Sequence, residues 1–271
     1  MRNTIGGVRL QGPSTGNTRF FGELSQRAVT DSLLSYAGAR DDRTGRDWGG
    51  VVSTGGRLGI NWDDGQAGAY GQGSYHKVTG ESVADNDRVG VNAGFYVRLL
   101  NAPENTLTIG ADVTYFKYDK NLRYFSLGQG GYFSPQQYTS LSVPIDWIGR
   151  SGRLSYQLRA AIGIQRFRES DSDWFPNDAG LQAALAAAAA GDPSLSVRYS
   201  GQTKTGGLYN LLGVAEYQAA PQLYFGGSVA FDNSRDYRQS IAGVYLRYAF
   251  SRETSRLNVP PVPLRFNVPQ Y

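Results

Sequence analysis

Apolar and polar residues alternate at every second position along much of this chain, and no other feature constrains its fold as strongly. Between positions 106 and 118 one set of alternate positions is apolar, namely Leu107, Ile109, Ala111, Val113 and Tyr115. Positions 88 to 99 repeat the pattern. Because successive side chains of a β-strand point to opposite faces, one face of each strand can meet lipid while the other meets water. Period-two alternation therefore predicts an all-β protein.

Short and long connectors alternate along the chain between the predicted strands. We predict about eleven strands, at 5–11, 19–28, 48–62, 66–77, 87–99, 105–118, 137–148, 153–167, 208–217, 222–232 and 239–250. Bacterial outer-membrane barrels have short periplasmic turns and longer extracellular loops, an order that a soluble sandwich does not explain. We therefore predict an antiparallel transmembrane β-barrel over residues 1–250, followed by a Pro-rich tail at 251–271. The last strand ends at Phe250, which resembles the assembly signal of such barrels and places that end in the periplasm.

Composition excludes several other classes. The 271 residues contain no run of roughly 18 apolar positions, so we do not expect a helical membrane span. The chain has no Cys, which removes disulfides, thiol catalysis and Cys-ligated metals. Its net charge of +4 is scattered, which argues against nucleic acid as a partner. The carboxylate pairs Asp63/Asp64 and Asp171/Asp173 lack metal-ligand spacing, and we predict neither a metal nor a cofactor.

The strand count suggests an incomplete barrel. Bacterial single-chain barrels have an even number of strands, and an odd number would leave the first strand running inward. Residues 1–7 also lack the apolar core of a signal peptide. We therefore expect this chain to be the C-terminal part of a longer protein whose first strands are missing here. An unpaired strand edge in lipid costs several kcal/mol per backbone group, so we expect the fragment alone to be unstable.

One glycine-rich connector carries a family resemblance. Its central run is Gly130, Gly131, Tyr132, Phe133, Ser134, Pro135 and Gln136. Together with Trp48-Gly49-Gly50, Thr54-Gly55-Gly56, Tyr118-Asp119-Lys120 and the Pro-rich tail, this run resembles the C-terminal domain of bacterial cellulose synthase operon protein C. The resemblance covers essentially the whole chain.

The resemblance implies a function in the outer membrane of a Gram-negative bacterium. It implies periplasmic tetratricopeptide repeats followed by a barrel of about sixteen strands, wide enough for a water-filled lumen. Such a barrel is a passive conduit for cellulose, driven by polymer synthesis at the inner membrane. The implied partners are the cellulose polymer, membrane lipid and lipopolysaccharide, the repeat domain of the same protein and the inner-membrane cellulose synthase complex.

The alternation also predicts which side chains line the lumen. The aromatic, charged and hydroxyl residues on this face suit an uncharged glucan with flat C–H faces. The less specific alternative is that they only keep the wall hydrated and rigid. The predicted inward positions are Tyr70, Arg88, Tyr96, Arg98, Asp112, Tyr118, Tyr138, Asp146, Arg159, Glu216, Tyr224, Asp232, Tyr245 and Arg247.

Two other functions compete with export. A barrel enzyme would need His76, the single His, and Ser74 shares its face, but we expect no catalysis. A general porin for ions or small sugars shares every strand-level feature, and it differs only in the resemblance and the aromatic lining. Neither alternative is excluded by the alternation itself.

Two segments outside the strands carry predictions of their own. In the connector 168–207, the alanine-rich run 181–190 predicts a short helix capped by Asp178 and stopped by Gly191, and this loop either covers the outer mouth or has no special role. The tail cannot extend the sheet because its prolines lack the ladder N–H. It either folds back into the lumen or trails in the periplasm.

Overall fold

A computed structural model describes residues 5–12, 15–42, 44–233, 238–250 and 261. Strands dominate these ranges, and the two helices lie in long connectors. In chain order the elements are β1 (Gly6–Gln11), β2 (Thr18–Ala28), α1 (Leu33–Ala37), β3 (Ala39–Arg40), β4 (Asp47–Asp63), β5 (Ala67–Glu81), β6 (Asn86–Ala102), β7 (Asn105–Tyr118), β8 (Gln137–Ser151), β9 (Leu154–Glu169), β10 (Ser172–Asp173), α2 (Ala179–Gly191), β11 (Arg198–Tyr199), β12 (Gln202–Ala220), β13 (Leu223–Asp232) and β14 (Gln239–Tyr248).

The main sheet is an antiparallel meander. Its path is β1-β2-β4-β5-β6-β7-β8-β9-β12-β13-β14, with the two-residue β3 added beside β4. The all-β prediction and the prediction of eleven long strands are therefore confirmed. Several predicted boundaries were wrong by one to three residues, including the end of the last strand at Tyr248, and two were wrong by more. β12 begins at Gln202, because its first residues pair with β9 although they lack apolar alternation, and β5 continues to Glu81, which shortens the next connector to 82–85.

The two faces of the sheet differ in chemistry as the alternation predicts. Apolar side chains of one face are left uncovered by protein: Val91 is 51% exposed and Val113 is 47% exposed. Ile109, on the same face, is half-buried. The opposite face carries the polar, charged and glycine positions. Among the residues that the structure describes, no protein core covers the apolar face of these strands, so a contiguous apolar surface is presented to its surroundings.

The polar face is concave. A cavity of about 890 Å³ is lined by side chains from strands as far apart in the sheet as β1 and β12. Its walls include Arg9, Glu23, Arg57, Tyr70 and Arg159. Within the described residues β1 pairs only with β2 and β14 only with β13, so this sheet forms a rolled wall that is open between β1 and β14.

Connectors of different length meet at opposite ends of the sheet. One end of the sheet, here called the short-turn end, is where the strands joined by 12–17, 64–66, 103–104, 152–153 and 221–222 meet. The other end, here called the long-loop end, is where the strands joined by 29–46, 82–85, 119–136, 170–201 and 233–238 meet. In the part of the chain that is described, neither helix is long and apolar enough to cross a membrane.

Glycines inside β4 mark an irregularity rather than a phosphate-binding loop. Gly49 and Gly50 have φ of +100° and +57°, a region open to glycine at little cost, and the pairing register shifts between Gly49 and Val52. Gly55 leaves no room for a side chain, because a Cβ there would meet the backbone of Tyr75 and His76. The glycines of this segment therefore serve an irregular turn of the strand and the close approach of β5.

Candidate functional site

Tyr70 and Asp112 form the centre of one polar cluster on the concave face. Tyr70 Oη donates to Asp112 Oδ2 at 2.6 Å. Asn92 Nδ2 donates to the same oxygen at 2.7 Å, and Thr114 Oγ1 donates to Asp112 Oδ1 at 3.1 Å. These residues come from β5, β6 and β7, whose antiparallel register brings them together. The carboxylate is thereby held by three donors while Tyr70 lines the cavity.

A second cluster lies at the short-turn end of β4 and β6. Tyr96 Oη donates to Asp63 Oδ2 at 2.6 Å. Arg98 binds both oxygens of the same carboxylate, at 2.8 and 2.6 Å. Bidentate pairing of this kind fixes orientation as well as charge. Asp63, which the alternation assigned to a turn, is therefore a structural member of the wall.

A third cluster joins β12, β13 and β14. Glu216, only 3% exposed, accepts from Tyr245 Oη at 3.0 Å and from Arg247 Nη2 at 2.7 Å. The Arg247 guanidinium carbon stands 3.8 Å from the ring centroid of Tyr224. Tyr224 is fully buried, so its ring offers no surface to a ligand although it lies on the predicted face. Asp232, farther along β13, pairs in register with Gln239.

Three further ion pairs line the concave face. Asp146 accepts from Arg159 Nε at 3.0 Å, as their inward positions suggested. Glu23 pairs with Arg57 at 2.8 Å and also with Arg27. Glu23 and Arg57 were not among the predicted lining residues. Both lie at inward-facing alternate positions of β2 and β4, and that alternation is the sequence signal that could have identified them.

Aromatic residues fill the concave face toward the long-loop end. Tyr138 stacks on Phe116 with ring centroids 4.5 Å apart, and Phe133 meets Phe167 edge to face at 5.1 Å. Tyr118 packs against this cluster, and Arg88 lies 4.8 Å from the Phe116 ring. Tyr138 is 4% exposed. The predicted inward positions Tyr118, Tyr138 and Arg88 therefore support a packed layer rather than an open surface.

The glycine-rich connector 119–136 folds over that layer and is here called the cap segment. Tyr132, 2% exposed, packs with Val51, Val78, Val83, Ala84 and Leu122. Its hydroxyl accepts from Asn86 Nδ2 at 3.0 Å, and Ser134 Oγ accepts from Leu122 N at 2.7 Å. Burial raises the pKa of the Tyr132 hydroxyl above its usual range, so the phenol stays neutral. Val51 and Val78 are inward strand residues, which places the cap segment on the concave side.

The remaining residues of the family motif tie the cap segment to its neighbours. Gly131 has φ of +65°, and Gly130 and Pro135 are buried. The Phe133 amide donates to Asp31 Oδ2 at 3.0 Å. Gln136 Oε1 accepts from the Ser170 amide at 2.7 Å, so the loops before β4 and after β9 are both attached. The positive φ of Gly131 is a conformation that glycine adopts at little cost.

The connector 170–201 lies beside the cap segment. Gln129 Nε2 donates to Ser172 Oγ at 2.8 Å, and Arg123 pairs with the buried Glu169 at 2.5 Å. Asp178 caps α2 by accepting from the Leu181 amide at 3.0 Å, as predicted, although the helix ends after Gly191 with Asp192 as its C-cap. This amide and Arg46 lower the pKa of Asp178. At the long-loop end the cap segment thus covers inward residues and the connector 170–201 adjoins it, while a role of loop 168–207 at the outer mouth stays a prediction.

The residues considered for catalysis do not assemble. Ser74 Oγ donates to the Gly90 carbonyl at 3.4 Å and not to His76. His76 Nδ1 is buried and has no hydrogen-bond partner within the described ranges. Among those same residues no three His, Asp or Glu side chains come together as a metal site would need. The tail 251–271, apart from Pro261, lies outside the described residues.

Two solved outer-membrane proteins are similar in fold. A bacterial polysaccharide outer membrane secretin is 12% identical with a TM-score of 0.48, covering 89% of this chain and 67% of that one. The outer membrane channel DcaP of Acinetobacter baumannii is 14% identical with a TM-score of 0.44, covering 91% and 62%.

Sequence comparison adds a family and close relatives. The family model for the cellulose synthase operon protein C C-terminus matches residues 1–251. The protein of that name from Xanthomonas axonopodis pv. citri is 43% identical over 96% of this chain, and the one from Pseudomonas fluorescens is 37% identical over 96%. The chain spans only 18% and 20% of the length of these two relatives. This chain belongs to the family of the cellulose synthase operon protein C C-terminus.

Proposed function

We propose that this chain forms part of the wall of an outer-membrane channel that exports cellulose from the periplasm to the cell surface. One observation carries the proposal: a meander of long strands presents an uncovered apolar face on its outside and a concave face of tyrosine, carboxylate, arginine and amide groups. That arrangement suits a strand wall between hydrocarbon and water. The family name supplies the substrate class.

The concave face suits passage better than retention. Cellulose is uncharged, and it offers hydroxyl edges and flat C–H faces. Asp63 and Glu216 are neutralised by Arg98 and Arg247 in the wall, and the Asp112 carboxylate is held by hydrogen-bond donors of neighbouring strands. Contacts with the polymer are then weak and replaceable, which transport requires because a tight site would trap the chain.

We assign no catalytic step and no energy source to this chain. The candidate nucleophile Ser74 is directed at a backbone carbonyl rather than at His76, and the Gly49-Gly50 pair of β4 lies at a shift of the strand register. Movement of the polymer is driven by its synthesis at the inner membrane. The channel itself is a passive conduit.

The proposed surroundings follow from the two ends of the sheet. The apolar outer face contacts membrane lipid, and the long-loop end contacts lipopolysaccharide and the cell surface. The short-turn end faces the periplasm, where we place the repeat domain of the full-length protein and, beyond it, the inner-membrane cellulose synthase complex. We expect no nucleic-acid partner.

A deletion strain tests the proposal against the porin alternative. We expect loss of cellulose at the cell surface, accumulation of polymer in the periplasm, and unchanged uptake of small sugars. Surface cellulose is measured as the dye bound by intact cells, and cellulase treatment of the same cells shows which part of that signal is cellulose. Reduced sugar uptake with normal surface cellulose would instead support a general porin and contradict export.

A further inference from the structure

Three tyrosines of the concave face lie along the sheet, each over a glycine of the neighbouring strand. The paired residues are Tyr96 with Gly68, Tyr70 with Gly94, and Tyr245 with Gly226. A Cβ added at Gly94 would stand 2.5 Å from Tyr70 Oη. A Cβ at Gly68 or Gly226 would overlap the phenol ring of its partner. The rings therefore occupy the space that a side chain on the partner strand would fill.

The far end of each ring is also fixed. Tyr70 donates to Asp112 and Tyr96 to Asp63, both at 2.6 Å, and Tyr245 donates to Glu216 at 3.0 Å. Each carboxylate is itself held, by Asn92, Arg98 or Arg247 respectively. A ring anchored at its Cβ and at its hydroxyl, with a glycine beneath it, keeps one face against the wall and the other toward the concave side, and Tyr70 lines the cavity itself. All three tyrosines are only half-buried.

The other inward tyrosines lack this arrangement. Tyr224 is fully buried under Arg247, and Tyr138 is stacked on Phe116 and covered. Tyr118 packs between the aromatic layer and the cap segment. Exposure of a ring face thus coincides with a glycine on the facing strand and a carboxylate at the hydroxyl.

We propose that Tyr70, Tyr96 and Tyr245 are stacking positions for the flat faces of a β-linked glucan, and that Gly94, Gly68 and Gly226 are the positioning residues that keep those rings flat. This inference rests on the proposed export function and deepens it. It selects three tyrosines of the wall as the residues that distinguish polymers. A ring in one fixed orientation loses little freedom when a sugar slides onto it.

Flat rings favour one class of glucan. In a β-1,4-linked chain the sugar rings follow one another in an extended ribbon, so that their C–H faces lie near common planes. An α-linked chain of the same sugar curls, and its faces do not present themselves together to a planar surface. Stacking on rings that cannot tilt therefore discriminates by linkage and not by composition.

A matched pair of glycine substitutions tests the positioning role. Gly94→Ala forces the Tyr70 ring off the sheet and also meets the Ala111 carbonyl oxygen at 2.7 Å, whereas Gly71→Ala, on the strand that carries Tyr70, adds a methyl group with nothing within 4 Å. Fluorescently labelled cellohexaose and maltohexaose are titrated onto the full-length protein, and binding is followed by anisotropy. We expect Gly94→Ala to weaken cellohexaose binding about tenfold, equivalent to about 1.4 kcal/mol, and to leave maltohexaose unchanged. Gly71→Ala should leave both unchanged.

Tyrosine substitutions keep the inference testable if Gly94→Ala does not fold. Tyr70→Leu removes the ring, and Tyr70→Phe keeps the ring and loses only the bond to Asp112. We expect cellohexaose binding to fall with Leu and to be largely retained with Phe. Equal binding by the wild type and the Leu variants at positions 70, 96 and 245 would overturn the inference. Failure of the export proposal looks different, because a deletion strain would then still place cellulose on the cell surface.

Discussion

The concave face of this sheet is covered at one end and open at the other, although the same strands form both ends. Toward the long-loop end the concave face is buried under the cap segment, where Tyr132 and Phe133 pack on inward valines and aromatic rings. Toward the short-turn end it stays open, and its tyrosines are held flat by carboxylates, as at Tyr96 and Asp63. The same strand register therefore supplies an open polar surface at one end and a packed base for a loop at the other.

The largest effect should come from emptying the centre of the cap segment. Tyr132→Ala removes a buried ring and the acceptor for Asn86, and we expect a loss of about 3–5 kcal/mol in the free energy of unfolding. Urea titration in lipid vesicles measures it. The exposed Tyr36 on α1 is the control, since Tyr36→Ala should change stability by about 0.5 kcal/mol at most. Equal losses in both variants would mean that the cap segment is not a packed core.

A pair of left-handed glycines separates packing from backbone strain at the two ends. Gly131 (φ +65°) is in the cap segment, and Gly152 (φ +57°) is in a short turn with nothing within 4 Å. Alanine at either position should cost about 1–2 kcal/mol for the backbone. At Gly131 the methyl group also meets Ser32 Oγ at 2.8 Å, and we expect about 1–3 kcal/mol more by the same urea titration. Equal losses in the free energy of unfolding at both glycines would show that the cap segment accommodates the added methyl group without loss of packing.

The polar wall should respond to loss of a single buried charge. Glu216→Gln replaces the carboxylate shared by Tyr245 and Arg247, and we expect about 1.5–3 kcal/mol of lost stability in the same titration. Asp85→Asn, which breaks an exposed pair with Lys77, serves as the control and should have no measurable effect. A stable Glu216→Gln protein would mean that the wall does not depend on its ion pairs.

The smallest effect should be local to α2. Asp178→Ala removes the helix cap, so amide exchange within 179–191 should quicken at pH 7 while exchange in 119–136 stays unchanged. Because the pKa of Asp178 is lowered by the Leu181 amide and Arg46, its contribution is complete above the unfolded value of about 3.9 and is lost as pH falls through the folded value. Faster exchange already at pH 6 in the wild type would contradict this assignment.

Alternation was sufficient to predict the strands because the surroundings of one face of each strand differ from those of the other face. A one-residue error of register would place Val91 on the polar face and Asn92 on the apolar one, and the observed exposures agree with the predicted register. The start of β12 was missed because residues 202–207 pair with β9 through the backbone, which leaves no mark on the side-chain pattern.

The candidate site was only partly predictable. Alternation placed Tyr70, Tyr96 and Tyr245 on the concave face, but the same rule placed Tyr224 there, and its burial depends on Arg247 two strand positions beyond Tyr245. The glycines beneath the rings are cross-strand neighbours, and cross-strand register depends on turn geometry. The cap segment has no periodicity at all, so its position over the concave face could not be inferred.

A cysteine scan across positions 89 to 97 of β6 tests the central claim most directly, because the chain contains no Cys of its own. Each single-Cys variant is treated in intact outer membranes with a membrane-impermeant thiol reagent, and labelling is read by mass shift. We predict labelling at positions 90, 92 and 96 and protection at 89, 91, 93, 95 and 97, and position 94 is left out because a side chain there would meet Tyr70. Uniform labelling, or labelling of the second set alone, would contradict a wall that is apolar outside and wet within.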